Sequence, residues 1–471
     1  MENRFQSHTF LKTVILICLI AIINLDFKIG ICDESNWYTQ GEFHPTIRIE
    51  INLVNHLDFD RENTPVIITR EQMPIKDIHE FWITVVDPSK PSRPGPSKEL
   101  LALQGGHQIR EETNGFAVFH ELDDLDKDGI WDELFFVVDI KANETKRMYL
   151  YLGYNQRGWN EHSTHAAIGS YCRHLVPFWE SAHVGWKLWY PTDCDVYAKR
   201  KPLLMSHRLY MENLDGYGVS GVSMDLGSDI MSVANSFGGG GICLFENPLK
   251  PDSVSRPRFT QERQRQGFTE NFNVGQISDT RYAYDVLVNG PLRSMVKVKT
   301  MNWNTEVGSY RLEQIYTAYS EQNYSTCQVR FTKFYVKQNG VQFGCGIRKR
   351  PGEELFYQEG GIVVTAGKEE IRNPDVLEGE QNKFFVEYAG TGLVVKDCYE
   401  PSYCFVPAFK GNHTFRIPVN QNHCFEYLIA AGWSEGSFLK TKESFLDYVL
   451  QQAKEYNHPI ETKVVAVENK I

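Results

Sequence analysis

Between Tyr171 and Tyr210 the chain concentrates groups that can grip an anion and move a proton. Arg173, Lys187, Lys199, Arg200 and Lys201 are cations, and His183, Tyr190, Tyr197 and His207 can exchange a proton near neutrality or beside a charge. Six Lys/Arg stand against three acids here, an excess of +3 in a chain of net charge -11. Trp179, Trp186 and Trp189 are interleaved with them. Rings that stack on pyranose faces, beside guanidinium and ammonium groups that hold carboxylate or sulfate, make a site for an anionic sugar. The expected binding set is Arg173, Trp186, Lys187, Trp189, Lys199, Arg200 and Lys201. For acid–base work His183 comes first, with Tyr190 as partner and Tyr197 or His207 as substitutes. If 183–190 is a strand, His183, Gly185, Lys187 and Trp189 share one face, while Val184, Trp186, Leu188 and Tyr190 share the other. A bulge would then be needed to bring His183 and Tyr190 together. The bland alternative is an aromatic core strand with solvated lysines and a locally satisfied histidine.

A second pattern is Asp124-Leu-Asp126-Lys-Asp128-Gly129-Ile-Trp-Asp132-Glu133. Carboxylates at alternate positions before a glycine fit a calcium loop. Asp124, Asp126 and Asp128 would supply side-chain oxygens, Ile130 a carbonyl, and Asp132 or Glu133 would close the shell. Position 135 is Phe, where an EF-hand has Glu, and a strand follows, so the expected ion is structural calcium in a β-hairpin. The alternative is an Asp-rich turn capped by its own side chains. No nucleophile elbow, metalloprotease motif or phosphate loop occurs: Ser236-Phe-Gly238-Gly-Gly-Gly241 lacks the Lys that would hold a phosphate and reads as a close backbone approach. Arg256 to Arg265 is a basic loop, read as a lid over an anion or as a solvated surface.

The elements that must position these groups are strands. Thr46 to Val54 alternates apolar and polar, and Phe81–Val86, Glu133–Asp139 and Arg147–Leu152 are β-branched and aromatic. They predict a small β-sandwich over 44–155. Further short strands from about 165 to 435 predict a large antiparallel two-sheet, supersandwich-like domain over 165–471. One helix is expected, Lys442 to Tyr456, with Phe445, Val449 and Ala453 on one face. The fold class is therefore all-β with a C-terminal helix.

Composition bounds the function. The chain has 471 residues with 42% hydrophobic and 23% charged, which excludes a disordered or collagen-like chain. Its acidic balance speaks against general nucleic-acid binding. Arg4 and Lys12 precede an apolar run from Thr13 to Ile23, too short to span a bilayer and suited to an export signal over 1–32. The mature chain is then exported, periplasmic or secreted, with no integral membrane segment; acylation at Cys32 is the alternative. Ten cysteines without a Cys-x-x-Cys give no zinc ribbon, and Cys398 with Cys404 is the nearest candidate for a bridge.

Several segments together are distinctive. They are Asp124 to Glu133 running into Leu-Phe-Phe, Trp179-Glu-Ser-Ala-His183-Val-Gly-Trp186 with Asp195-Val-Tyr-Ala-Lys-Arg-Lys-Pro202, Gly290-Pro-Leu-Arg293-Ser, and Ala430-Ala-Gly-Trp433. From about 45 to 455 the chain resembles a bacterial exported family of unknown-function domains from polysaccharide-utilisation systems, whose members include ulvan oligosaccharide dehydratases. The resemblance implies a carbon–oxygen lyase (hydro-lyase) that takes an anionic oligosaccharide, removes water from a terminal uronate and leaves a 4,5-unsaturated sugar without an organic cofactor. A chain-cleaving lyase, a glycoside hydrolase and a non-catalytic glycan-binding protein remain the alternatives. Dehydration asks for a cation on the carboxylate, a base for H5 and an acid for the leaving hydroxyl, and 171–210 contains all three kinds.

Overall fold

The alternation at 46–54 folds as strand Ile47–Val54, which turns Ile49, Ile51 and Leu53 into a core. The computed structural model describes residues 36–41, 43–93, 112–154, 162–171, 174–190, 193–206, 221–223, 225–231, 233, 236–250, 252–257, 280–372, 383–408 and 410–470. Arg173, His207, the expected 1–32 leader and 258–265 of the basic loop lie outside the described residues.

Ile47–Val54 lies in a five-stranded sheet between Glu461–Asn469 and Thr145–Gly153, with Trp82–Asp87 and Phe116–Ala117 beyond. A three-stranded sheet of Arg61–Thr69, Glu133–Ile140 and His120–Asp123 packs on it over Val66, Ile68, Leu134 and Phe136. The C-terminal strand, expected with the large domain, thus hydrogen-bonds into the first sandwich, Ile47 opposite Asn469.

An eight-stranded antiparallel sheet carries the second unit, from Arg281–Asn289 at one edge to Gly352–Glu359 at the other. A six-stranded sheet (164–171, 174–181, 184–190, 193–199, 227–229, 221–223) and a four-stranded sheet (241–245, 342–348, 412–417, 402–406) share a core with it. Strand alternation sends Trp179, Trp186, Val184 and Val196 into that core and leaves Gly185, Lys187, Asp195 and Tyr197 on the outer face. The glycine run does make a close approach: a Cβ at Gly239 or Gly240 would collide with Val196 or Ile429.

Helix Lys442–Asn457 begins where the Thr441 hydroxyl accepts from the Ser444 amide. Phe445, Val449 and Ala453 are buried against the eight-stranded sheet. Glycines form their seat: a Cβ at Gly390 would come within 2.6 Å of Phe445, and one at Gly392 within 2.9 Å of Val449. Burying Phe445 and Val449 contributes roughly 1.5–3 kcal/mol each. Among the described residues no helix is long and apolar enough to cross a membrane.

Arg293 fastens the two units. Its Nε donates to Asp123 at 2.5 Å, its Nη2 faces Glu133 at 2.7 Å, and its guanidinium lies 4.7 Å from the Phe135 ring centre. Glu121 accepts the Leu292 and Arg293 amides at 2.9 and 3.0 Å, an approach that a Cβ at Gly290 would block. Three carboxylates therefore surround one buried guanidinium. Burial, then the Asp123 charge, pushes the Glu121 carboxyl up to about 8, and burial also raises Asp123. A proton held between these two carboxyls would relieve the excess charge. No disulfide joins Cys398 to Cys404, whose sulfur instead lies 3.1 Å from Arg416 Nη2.

Candidate active site

His183 is not in a strand. His174–Ser181 and Val184–Tyr190 form a hairpin, and Ala182 and His183 are its turn. At this turn the imidazole is mostly buried: Nε2 meets the Glu321 carboxylate at 3.1 Å and the ring stands edge-on to Phe438 at 4.9 Å. The Glu321 carboxylate accepts from Nε2–H, which leaves Nδ1 as the ring's proton acceptor. The hydrogen bond from His183 holds the Glu321 carboxyl below its ordinary range, against the opposing effect of partial burial.

Glu321 sits in a left-handed backbone conformation, φ 60°, in the turn between Gly308–Tyr319 and Tyr324–Val336. A non-glycine residue held there carries a small strain that its surroundings must offset. They do so from two sides. Tyr448 of the helix donates to Gln322 Oε1 at 3.0 Å and accepts the Asn323 amide at 2.9 Å, and Gln322 Nε2 donates to the Asn63 carbonyl of the first sandwich at 2.9 Å.

His183, Lys201, Pro202, Asn323, Trp433, Ser437 and Phe438 line a small pocket with room for about one water. It adjoins a cleft of about 680 Å³ between the two units, to which Glu321 and Pro202 also contribute. Phe116 and Phe119 give that cleft an aromatic wall, with the Arg93 guanidinium 4.1 and 5.4 Å from their ring centres. Lys90, Asp87, Asp139 and His162 complete its polar lining.

The predicted binding residues fall into separate places. Lys201 is exposed at the pocket and has no ion-pair partner among the described residues. Arg200, at the rim, pairs with Glu435 at 2.6 Å and lies 5.2 Å from the Trp433 ring centre. Lys199 also borders the pocket, but its ammonium is fully buried, paired with Glu180 and donating to the Ser181 and Leu203 carbonyls at 2.5 and 2.7 Å. Burial lowers its pKa and Glu180 opposes that shift. Glu180 also accepts the Met205 and Ser206 amides, so the pair clamps the segment that carries Lys201 and Pro202. Trp186 is lost to sugar stacking, because it is buried in the core in a parallel stack with Trp179. Lys187 and Tyr197 meet on the outer face, Nζ to OH at 2.6 Å, with Asp195 at 3.0 Å from the ammonium, but all three are enclosed. The backbone register slips between Leu188 and Tyr190, but His183 lies in the turn before this strand, so strand alternation no longer relates His183 to Tyr190. Trp189 and Tyr190 end that strand.

The Asp loop closes on itself. Asp124, Asp126 and Asp128 bring carboxylate oxygens within 4.8 Å of one another. Asp124 also accepts the Lys127 and Gly129 amides, Asp128 that of Ile130, and Asp132 that of Leu125. Glu133 turns away to Arg293 and is not part of the cluster.

Residues 53–462 match the family described as "Domain of unknown function (DUF4861)". The chain belongs to this family. No curated protein matches it in sequence. Among solved structures it is similar to a protein in the glycosyl hydrolase family 38 from Enterococcus faecalis, at 10% identity over 89% of this chain and 47% of that one, TM-score 0.44. It is also similar to an alpha-mannosidase from Enterococcus faecalis V583, at 10% identity over 90% and 46%, TM-score 0.42. The chain spans about half the length of each, and likeness at that level fixes neither sugar nor reaction.

Glu321, Asn323 and Phe438 went unforeseen. They lie far along the chain in polar turns, and no local pattern pairs Glu321 with a histidine in a different hairpin.

Proposed function

We propose that the protein is an exported carbohydrate-active hydro-lyase that dehydrates the terminal uronate of ulvan-type anionic oligosaccharides. The observation that carries this reading is the His183–Glu321 pair beside Lys201, which has no ion-pair partner among the described residues, at the edge of a cleft with an aromatic wall. Lys201 neutralises the sugar carboxylate, which acidifies H5. His183 Nδ1 takes H5, the C5–H electron pair becomes the C4–C5 double bond, and Glu321 stabilises the imidazolium. The proton then passes to the departing 4-hydroxyl and water leaves. Atoms and electrons balance with no oxidant and no organic cofactor.

The test is incubation with uronate-ended ulvan oligosaccharides, read by ultraviolet absorbance and product mass. Products lighter than substrate by one water, with new absorbance, support the reading. Chain scission identifies a cleaving lyase, scission without absorbance a glycosidase, and retention without turnover a binding protein; each of these overturns it.

A further inference from the structure

Arg350 is wholly buried just beyond strand Gln342–Arg348, and only part of its guanidinium is used. Nη1 donates to the Ile230 carbonyl at 2.5 Å and reaches Glu369 at 3.2 Å. Nε and Nη2 are buried with no acceptor among the described residues. These two nitrogens form one edge of the guanidinium, whose parallel N–H bonds match two oxygens of a single carboxylate or sulfate. Buried donors without partners are rare, and a bound water or ion is a usual reason for one.

The surroundings favour an anion. Arg348 and Lys410 also lie within electrostatic reach, and all three cations act on the same carboxylate, Glu369. The other acid in range, Asp229, is engaged by the Met231 amide at 2.8 Å. Burial, then the Asp195 charge, raise its carboxyl well above the usual range. Lys410 is exposed and marks the solvent side.

We propose that the free edge of Arg350, with Arg348 and Lys410, is a binding site for a small oxyanion, a carboxylate or a sulfate group. It shares no residue with the His183 pocket and stands whether or not the protein is a dehydratase.

The test is thermal unfolding of the full chain at constant ionic strength in chloride, sulfate, glucuronate, or chloride with glucose. The expected result is a saturable rise in Tm, on the order of a few degrees, with an oxyanion over chloride and none with glucose. Arg350→Met should abolish it, and Lys410→Gln should raise the half-saturating concentration several-fold. A response to sulfate alone assigns a free inorganic oxyanion; one to glucuronate as well assigns a sugar carboxylate. A rise linear in sulfate and equal in wild type and variants is ordinary salt exclusion and overturns the proposal. So does the absence of any oxyanion response in wild type. If Arg350→Met does not fold, an unchanged half-saturation in Lys410→Gln overturns it.

Discussion

Stability should fall as pH rises from about 4.5 to about 8, because of the carboxylates around Arg293. Glu121 moves from the usual 4.5 to about 8 on folding. Across that window the unfolded chain has released the proton and the folded one has kept it, so the unfolded state binds fewer protons and each pH unit weakens the fold. The contribution is fully present below pH 4.5 and lost by about pH 8. At about 1.4 kcal/mol per unit the ceiling is roughly 5 kcal/mol. Urea unfolding at half-unit steps from pH 5 to 8.5 measures it directly. Glu121→Gln keeps a neutral group that still donates to Asp123, so its profile should be flatter by the same amount. Gly290→Ala, which displaces the carboxylate, should destabilise the protein most at low pH, where the native contact is worth most. Superimposable profiles for wild type and Glu121→Gln would refute the shared proton.

The other expectations concern the pocket, the clamp, the loop and the helix seat. His183→Ala should remain folded by circular dichroism and lose at least about a hundredfold in dehydration rate; near-native turnover removes it from the mechanism. The His183–Glu321 contact should persist above about pH 4.5 and be lost as pH falls below that, since pairing holds Glu321 under its usual value; NMR titration of the Glu321 carboxyl carbon reads this, and a midpoint unchanged by His183→Ala would speak against the pair. Lys199→Met leaves Glu180 buried and uncompensated and should cost about 3–5 kcal/mol in chemical denaturation, whereas Lys201→Met should cost almost nothing there. Calcium should raise Tm, chelator should lower it, and Asp126→Ala should abolish that response; a Tm indifferent to chelator means the loop is closed by its own hydrogen bonds alone. Gly392→Val should loosen helix Lys442–Asn457 by roughly 1–3 kcal/mol, seen as faster amide exchange across the helix.

What could be read from the chain depended on how local the determining physics is. The helix was legible because Phe445, Val449 and Ala453 repeat at helical spacing, and its seat buries those same side chains. Strand Ile47–Val54 was legible from simple alternation. Its partner Glu461–Asn469 was not assigned to it, since pairing between segments that far apart leaves no mark on either. The same limit governs the site. The richness of 171–210 was visible, but charge and aromatic content do not say which cation finds an acid. Glu180 lies two strands away, across Val184–Tyr190, and consumes Lys199, whereas Lys201, just past the strand, is left exposed. Trp186 followed the inward face that alternation already implied, so its place in the binding set conflicted with the strand reading itself. The Asp loop was visible as a cluster, yet Glu133 answers to Arg293, which belongs to the other unit.

The pairing of Glu461–Asn469 with Ile47–Val54 has a consequence for the timing of synthesis. A ribosome delivers the other four strands of the first five-stranded sheet early, and Ile47–Val54 then presents an open, half-apolar edge while the large unit is being made. That edge can be closed only after the helix at 442–457 has emerged. During the interval the nascent chain carries a template for strand addition by other chains, the usual hazard of an uncovered edge. Its alternating Arg48, Glu50 and Asn52 keep one side of the strand polar in the meantime. Cutting the chain just after the helix would make that transient edge permanent, and the product should self-associate while each remaining sheet is still able to form.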